Sequence, residues 1–284
     1  MNRREQLEEI KEDAEQAEQV EQADQLDQDD PYIVGALVRG LEVLRAFNAE
    51  HPSLSMTELA HVLGWNRTAP FRLVYTLQKL GYLHQDQQTK RYSLGSRVME
   101  LGFEYLHSLQ LPDLAQPYLE RLREETSASA HLGILEGAEV VYVARVQTRL
   151  MSASNIHIGS RLPAHATSMG KVLLAFQPAE TLERLVKDSR LTAYTVRTIT
   201  DPVKLRRELI AIRERGYVFN DQEFELGVRS IAAPVYGQGG KVIAALNVSA
   251  PTPVLTDEKV DQVAIPAVRR ATAELSASLG YRKS

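Results

Sequence analysis

Three groups of residues have types and spacings that could do chemistry. Thr68, Arg72, Tyr75 and Lys79 recur at intervals of three and four, with Arg67 just ahead of them, so on a helix they form one basic stripe carrying an aromatic ring. Such a stripe can lie on a phosphate backbone and reach base edges. Ser168 and Met169 open another helical run, whose free N–H groups and positive dipole end would attract a carboxylate. Val228 with Ser230, and Asn247 with Ser249, sit two apart in apolar, strand-like runs, so each pair points to one sheet face. Ser230, Asn247 and Ser249 can donate and accept there, and Met151 and Met169 offer polarizable surface to a ring. The same Ser and Asn residues read equally well as core polar groups bonded to backbone. Arg149, Arg161 and Arg229 read either as cationic partners of an anion or as members of structural ion pairs.

Catalytic chemistry finds little support. Cysteine is absent, which removes thiolate nucleophiles and thiolate metal sites, and no HExxH, GxSxG, Walker loop or strand-following GxGxxG occurs. His157 and His165 are eight apart with no carboxylate at metal spacing, so neither is expected to be a ligand. His165 and Ser168 could imitate a base and nucleophile, but a third orienting group is missing. Gly237-Gln238-Gly239-Gly240 is expected to be a hairpin turn. No cofactor, metal or enzymatic activity is therefore expected.

The elements that must position these residues fit a chain of 284 residues, long enough for two domains. No apolar run approaches the roughly 18 residues of a membrane span, and the first residues lack an apolar signal segment, so a cytoplasmic protein away from membranes is expected. The net charge of −4, taken alone, argues against nucleic acid. Its distribution removes that objection, because residues 1–30 hold twelve acidic and three basic side chains whereas Pro31–Leu94 holds seven basic and four acidic. From Ala14 to Gln28 the arm repeats apolar-acidic-Gln triplets. An apolar stripe of period three drifts around a helix, so the expectation is a disordered acidic arm, either solvating or competing with DNA phosphates for basic residues.

Residues 31–94 read as a winged helix-turn-helix. Val34, Leu37, Val38, Leu41, Leu44 and Ala46/Phe47 predict a first helix, and SMTELAHVLG a short second one capped by Ser55 or Thr57 and stopped at Gly64. The third, between Pro70 and Gly81, is expected to turn Phe71, Leu73, Val74, Leu77 and Leu80 inward. A hairpin through Asp86–Thr89 follows, with Lys90 and Arg91 placed to touch phosphates as a wing. A linker helix is expected over 95–111. Over 112–284, strands at 130–146, Tyr217–Asn220, Val228–Tyr236 and Val242–Ala250 alternate with helices at Thr167–Ala175, Ala179–Lys187, Pro202–Arg215 and Thr256–Leu279. That pattern predicts an α+β domain on an antiparallel sheet. A sensing or catalytic domain whose winged helix contacts proteins is the alternative reading.

GSRLPAHATSMGKVLLA (Gly159–Ala175) and ERGYVFNDQEFELGVRSIAAPV (Glu214–Val235), after a winged helix and linker helix, resemble the IclR family of bacterial transcription regulators from about Tyr32 to Tyr281. The resemblance is nearest to the branch that senses protocatechuate or 4-hydroxybenzoate. It implies binding of double-stranded promoter DNA, a GAF-like effector domain, assembly with itself as dimers or dimers of dimers, and contact with RNA polymerase. It also implies an effector site formed by Met151, Ser154, Leu162, Ser168, Met169, Asn220, Val228, Ser230, Asn247 and Ser249. Relatives that bind small keto acids carry an acidic residue at the position of Asn220 and often Gly at that of Ser168, so a small aromatic acid is the expected effector. The acidic arm has no counterpart in the family pattern.

Overall fold

A computed structural model describes residues 32–66, 69–148, 156–188 and 190–282, without the side chains of residues 107, 108 and 188. The acidic arm, Arg67, Thr68, Arg149, Met151 and Ser154 lie outside the described residues. The chain divides into two compact units between His107 and Ser108.

The first unit contains α1 (Gly35–Arg45), α2 (Met56–Val62), α3 (Phe71–Lys79) and a hairpin of β1 (Leu83–Gln85) and β2 (Tyr92–Leu94). Ser55 starts α2 through a capping box: its side chain accepts from the Glu58 N–H while Glu58 Oε2 accepts from the Ser55 N–H at 2.7 Å. That backbone bond, the Ser55 hydroxyl and the Arg91 guanidinium hold the Glu58 carboxyl down to about 2. Val43, Phe47, Leu54, Leu59, Val74, Leu83 and Tyr92 form the core of this unit.

The inward face of α3 differs from expectation, and the apolar stripe of α1 is left largely uncovered. On α3 the core takes Val74, with Leu73 and Leu77 beside it, while Phe71 and Leu80 are 58% and 49% exposed. Phe71 is the first helical residue and Leu80 the C-cap, so neither lies over the two turns that meet the core. On α1 the periodicity is helical, but Val34, Leu37 and Leu41 are more than half exposed and the core is met by Val43, Ala46 and Phe47. A spacing pattern identifies an apolar stripe, not what covers it.

Helix α4 (Arg97–Leu109) occupies the expected linker and crosses the unit boundary. The second unit continues with α5 (Leu111–Thr126), β3 (Ser129–Glu136), β4 (Glu139–Val146), β5 (Arg161–Pro163), α6 (Ser168–Ala175), α7 (Ala179–Asp188), α8 (Pro202–Arg215), β6 (Val218–Asp221), β7 (Val228–Tyr236) and β8 (Val242–Pro251). It ends with a short turn, α9 (Asp257–Lys259), a π-helical stretch Val260–Ala264, and α10 (Ile265–Ser278). The terminal helical segment is thus interrupted where a single helix was expected, and β5 is a strand that the periodicity did not predict.

The six strands run in the order β5-β4-β3-β8-β7-β6, with every neighbouring pair antiparallel. Helices α5 and α10 cover one face, and α6, backed by α8, covers the other. Both faces are buried, so β3, β4, β7 and β8 read as nearly continuous apolar runs. The expected α+β architecture, a winged helix followed by an antiparallel-sheet domain, is present. The turn at Gly237–Gly240 joins β7 to β8, with the Gly240 N–H donating to the Gly237 carbonyl at 2.9 Å. Among the described residues, no helix is long and apolar enough to cross a membrane.

Candidate effector and nucleic-acid sites

In the first unit α3 presents Arg72, Tyr75 and Lys79 outward, with the Lys79 ammonium 5.5 Å from the Tyr75 ring centroid. The Arg72 guanidinium and the Lys90 ammonium have no partner among the described residues. Arg91 differs. Its guanidinium donates to Ser53 Oγ (3.1 Å), the Ser53 carbonyl (2.8 Å) and Glu58 Oε1 (3.2 Å), tying the wing to the start of α2. The wing cation left for a phosphate is therefore Lys90, which stands at the end of a loop whose backbone Asp86 Oδ1 organises by accepting from the Gln88 and Thr89 N–H groups. A broad, open hollow of about 600 Å³ beside the wing, between Gln78 and Ser96, brings no set of charged groups together.

In the second unit Leu162, Ser168, Asn220, Val228, Ser230, Asn247 and Ser249 converge on one cavity, although they come from four strands and a helix. Register explains this: Ser230 stands directly opposite Ser249, and Asn247 opposite Ala232, so the alternating residues of β7 and β8 face α6. The opening turn of α6 reaches the same space, with Thr167 and Ser168 on the cavity wall. Asn247 Nδ2 donates to Ser168 Oγ at 3.2 Å, which ties the helix start to the sheet. Asn220 is spent on the scaffold: its Nδ2 donates to the Ala166 carbonyl (2.9 Å), and its Oδ1 accepts from the Glu223 N–H (3.3 Å).

Met169 is not on the wall. It is fully buried behind it, packed on Gly133, where an added Cβ would come within 2.9 Å of the Met169 methyl. The alternation of a helix start sends Ser168 to the cavity and Met169 to the core, so the methionine offers its side chain to the protein and not to a ligand. Arg161 and Arg229 are engaged elsewhere, Arg161 by Glu136 and Glu139 and Arg229 by Asp221 and Asp257. Among the described residues no Lys or Arg lines the cavity, so an anion there would be held by N–H and O–H groups.

The remaining wall is Tyr142, Ile156, Phe224 and Glu225, none of which the spacing of the sequence singled out. Beneath it lies a further residue that was missed, His131. Its signal was a histidine in the apolar strand AHLGIL, where a polar side chain on a buried face needs a partner. His131 faces Asn247 across the ladder, with Nδ1 2.9 Å from Asn247 Oδ1, and its ring meets the Tyr142 ring edge-on at 5.4 Å. Because Asn247 turns its amide N–H toward Ser168, its oxygen faces the ring, and Nδ1 carries the proton. Nε2 is then a buried acceptor, and it has no partner among the described residues.

Burial pushes the His131 imidazole down to about 4, and Arg145 across the ladder acts in the same direction, against the Asn247 bond. The folded state thus excludes a proton that the unfolded chain takes up near pH 6.5, so this contribution is complete above that pH and declines as pH falls toward 4. From pH 7 to pH 5 the loss from this group should be about 2 kcal/mol. Urea denaturation at both pH values should show a smaller loss for His131→Phe by that amount. Equal losses for the two proteins would mean that His131 is not the buried neutral base.

Comparison with known proteins shows what this pair of units is. The family model for the IclR helix-turn-helix domain matches residues 36–87, and that for the bacterial transcriptional regulator IclR C-terminal domain matches residues 103–277. The chain belongs to the IclR family of bacterial transcriptional regulators. It is 39% identical over 248 residues to the Pca regulon regulatory protein of Pseudomonas putida, covering 87% of this chain and 84% of that protein. It is 38% identical over 252 residues to the p-hydroxybenzoate hydroxylase transcriptional activator of Acinetobacter baylyi, covering 87% of this chain and 92% of that one. Among solved structures, an IclR homolog from Microbacterium hydrocarbonoxydans complexed with 4-hydroxybenzoate superposes with a TM-score of 0.76 at 27% identity, covering 86% of this chain and 98% of that one. This IclR-family chain is a DNA-binding transcriptional regulator of helix-turn-helix type, and not an enzyme.

Proposed function

We propose that this regulator controls genes of aromatic-compound catabolism and that a small aromatic carboxylic acid, bound in the cavity beside α6, sets its action on promoter DNA. The observation that carries the reading is the convergence of Ser168, Ser230, Asn247 and Ser249 with the α6 start in a space walled by Tyr142, Leu162 and Phe224, with no Lys or Arg among its described lining residues. Aromatic walls suit a ring, and a helix N-terminus with hydroxyl groups suits its carboxylate. The relatives named for pca regulation and for p-hydroxybenzoate hydroxylase activation support the same class. The cavity itself measures about 40 Å³ inside a cleft with about 410 Å³ of empty space, so a benzoate enters only by moving side chains of the wall. That requirement supplies a coupling. A ligand that binds one arrangement of the wall more tightly than another shifts the population between them.

On DNA, α3 enters the major groove with Arg72 on base edges and Lys79 and Lys90 on phosphates. Arg67 and Thr68 precede it in the sequence, and Arg91 braces the wing. The exposed Val34, Leu37 and Leu41 stripe on α1 fits pairing with a second copy, giving a dimer or dimer of dimers on a palindromic operator with half-sites about 34–36 Å apart or a multiple. Helix α4 is the element through which effector binding reaches the DNA unit. The protein works in the cytoplasm, where RNA polymerase is a further partner.

Arg72→Ala should weaken operator binding by about 1–3 kcal/mol and relax sequence preference, whereas Lys79→Ala and Lys90→Ala should each lower the salt slope of binding by about 1. Fluorescence anisotropy at several salt concentrations reads both effects. Affinity that barely changes with salt would favour a winged helix used for protein contacts. Calorimetry with hydroxylated benzoates should give heat with at least one of them. Heat with pyruvate or glyoxylate and none with any benzoate would overturn the aromatic-acid reading.

A further inference from the structure

The strand order places β3 between β4 and β8, and both of those strands supply cavity wall, through Tyr142 on β4 and through Asn247 and Ser249 on β8. The residue of β3 that faces Asn247 and touches the Tyr142 ring is His131, which therefore lies under the centre of the wall. We infer that His131 is a specificity-determining residue of the effector site, whose Nε2 accepts a hydrogen bond from a hydroxyl on the aromatic ring of the effector. This rests on the aromatic-acid reading above and goes beyond it by naming the group that would tell a hydroxybenzoate from benzoate.

Ser168 Oγ, Asn247 Nδ2 and Oδ1, and His131 Nδ1 form a polar chain joined by bonds of 3.2 and 2.9 Å. It fixes the ring orientation from the start of α6 inward, and it leaves Nε2 as a lone pair with no donor. A buried acceptor without a partner is uncommon in folded proteins and calls for an occupant. A neutral acceptor selects the sign of that occupant: it attracts an O–H and repels a carboxylate, so the two ends of a hydroxybenzoate are distinguished. The carboxylate goes to the N–H groups at the α6 start and the hydroxyl to the floor. Tyr142 lines the same cavity, and its hydroxyl forms no hydrogen bond among the described residues.

The test is calorimetric titration of the full chain with benzoate, 3-hydroxybenzoate, 4-hydroxybenzoate and 4-methoxybenzoate, in the wild type and in His131→Phe. The wild type should bind one hydroxybenzoate at least about tenfold more tightly than benzoate or the methoxy compound, which cannot donate. In His131→Phe that ratio should fall toward one. A ratio that survives the substitution overturns the role of His131 while leaving the aromatic-acid reading intact. Binding of none of the aromatic acids by the wild type overturns both.

Because His131→Phe can perturb the fold, ¹⁵N-histidine NMR of the wild type gives a second readout. Nε2 should appear as an unprotonated ring nitrogen and shift on saturation with the hydroxybenzoate but not with benzoate. An Nε2 that carries the proton, or a resonance unmoved by the hydroxybenzoate, overturns the inference.

Discussion

Lys171→Met should destabilise the chain by about 3–5 kcal/mol, the cost of leaving one member of a buried ion pair without the other. The Lys171 side chain is only 1% exposed, and its ammonium donates to both carboxylate oxygens of Glu223. Burial pushes the Glu223 carboxyl above its usual range, the Lys171 ammonium opposes this, and Glu208 adds to the upward push. Without the ammonium, Glu223 must take up a proton or pull its loop toward water. That loop is also held by hydrogen bonds from the Thr195 and Thr198 hydroxyls to the Gln222 and Glu223 carbonyls (2.8 and 2.6 Å). It continues into Phe224 and Glu225 on the cavity wall. The ion pair therefore sets the wall against α6, and a stability loss should be accompanied by a weaker effector response. The double variant Lys171→Met/Glu223→Leu should recover most of the lost stability, since an apolar pair leaves no charge to desolvate. Urea denaturation at one protein concentration checks both. A single variant within about 1 kcal/mol of wild type, or a double variant no better than the singles, would show that the pair does not carry this load.

Gly170→Ala is the second large effect, with an expected loss of about 3 kcal/mol or more. A Cβ at Gly170 would lie 2.3 Å from both Cα and the carbonyl oxygen of Ala164. Backbone atoms cannot rotate away as a side chain can, so α6 and the loop from β5 must separate. Separation moves Ser168 relative to Asn247, whose present contact is 3.2 Å, and should weaken effector binding by tenfold or more. Gly239→Ala is the matched control: a Cβ there meets nothing within 4 Å, and a surface change of this kind stays within about 0.5 kcal/mol. Thermal or urea unfolding of the two variants separates a local clash from a general intolerance of alanine for glycine. Equal stabilities would remove the argument that α6 needs this glycine to approach the loop.

Several elements were legible because their signals are local. The bounds of α8 come from Asp201, whose side chain accepts from the Val203 and Lys204 N–H groups, from Pro202 in the first turn, and from Gly216 with φ of 75° at the end. The bounds of β7 likewise match a run of apolar residues ended by the Gly-rich turn. By contrast β5 is only three residues long and is a strand because β4 offers it a ladder, which no local pattern announces. Arg91 looked like a phosphate contact from its place beside the wing tip, and it became a brace because Ser53 and Glu58 come to meet it from far along the chain. The exposed Leu37 and Leu41 carry the same lesson, since a helical apolar stripe does not say which surface covers it.

The sequence by itself determined the order and type of the elements apart from β5 and the break in the terminal helix, the basic stripe on α3, the family, and the alternation that puts Ser230 with Val228 and Asn247 with Ser249 on one face. Each of these follows from residue periodicity, caps and contiguous motifs, which act over a few residues. Tertiary structure alone decided that His131 lies between Tyr142 and Asn247, that Lys171 finds Glu223, and that Met169 turns into the core while Ser168 faces the cavity. Those outcomes depend on strand order, cross-strand register and the approach of α6 to the sheet. They are long-range choices made by packing, and packing brings together polar groups that no spacing along the chain relates.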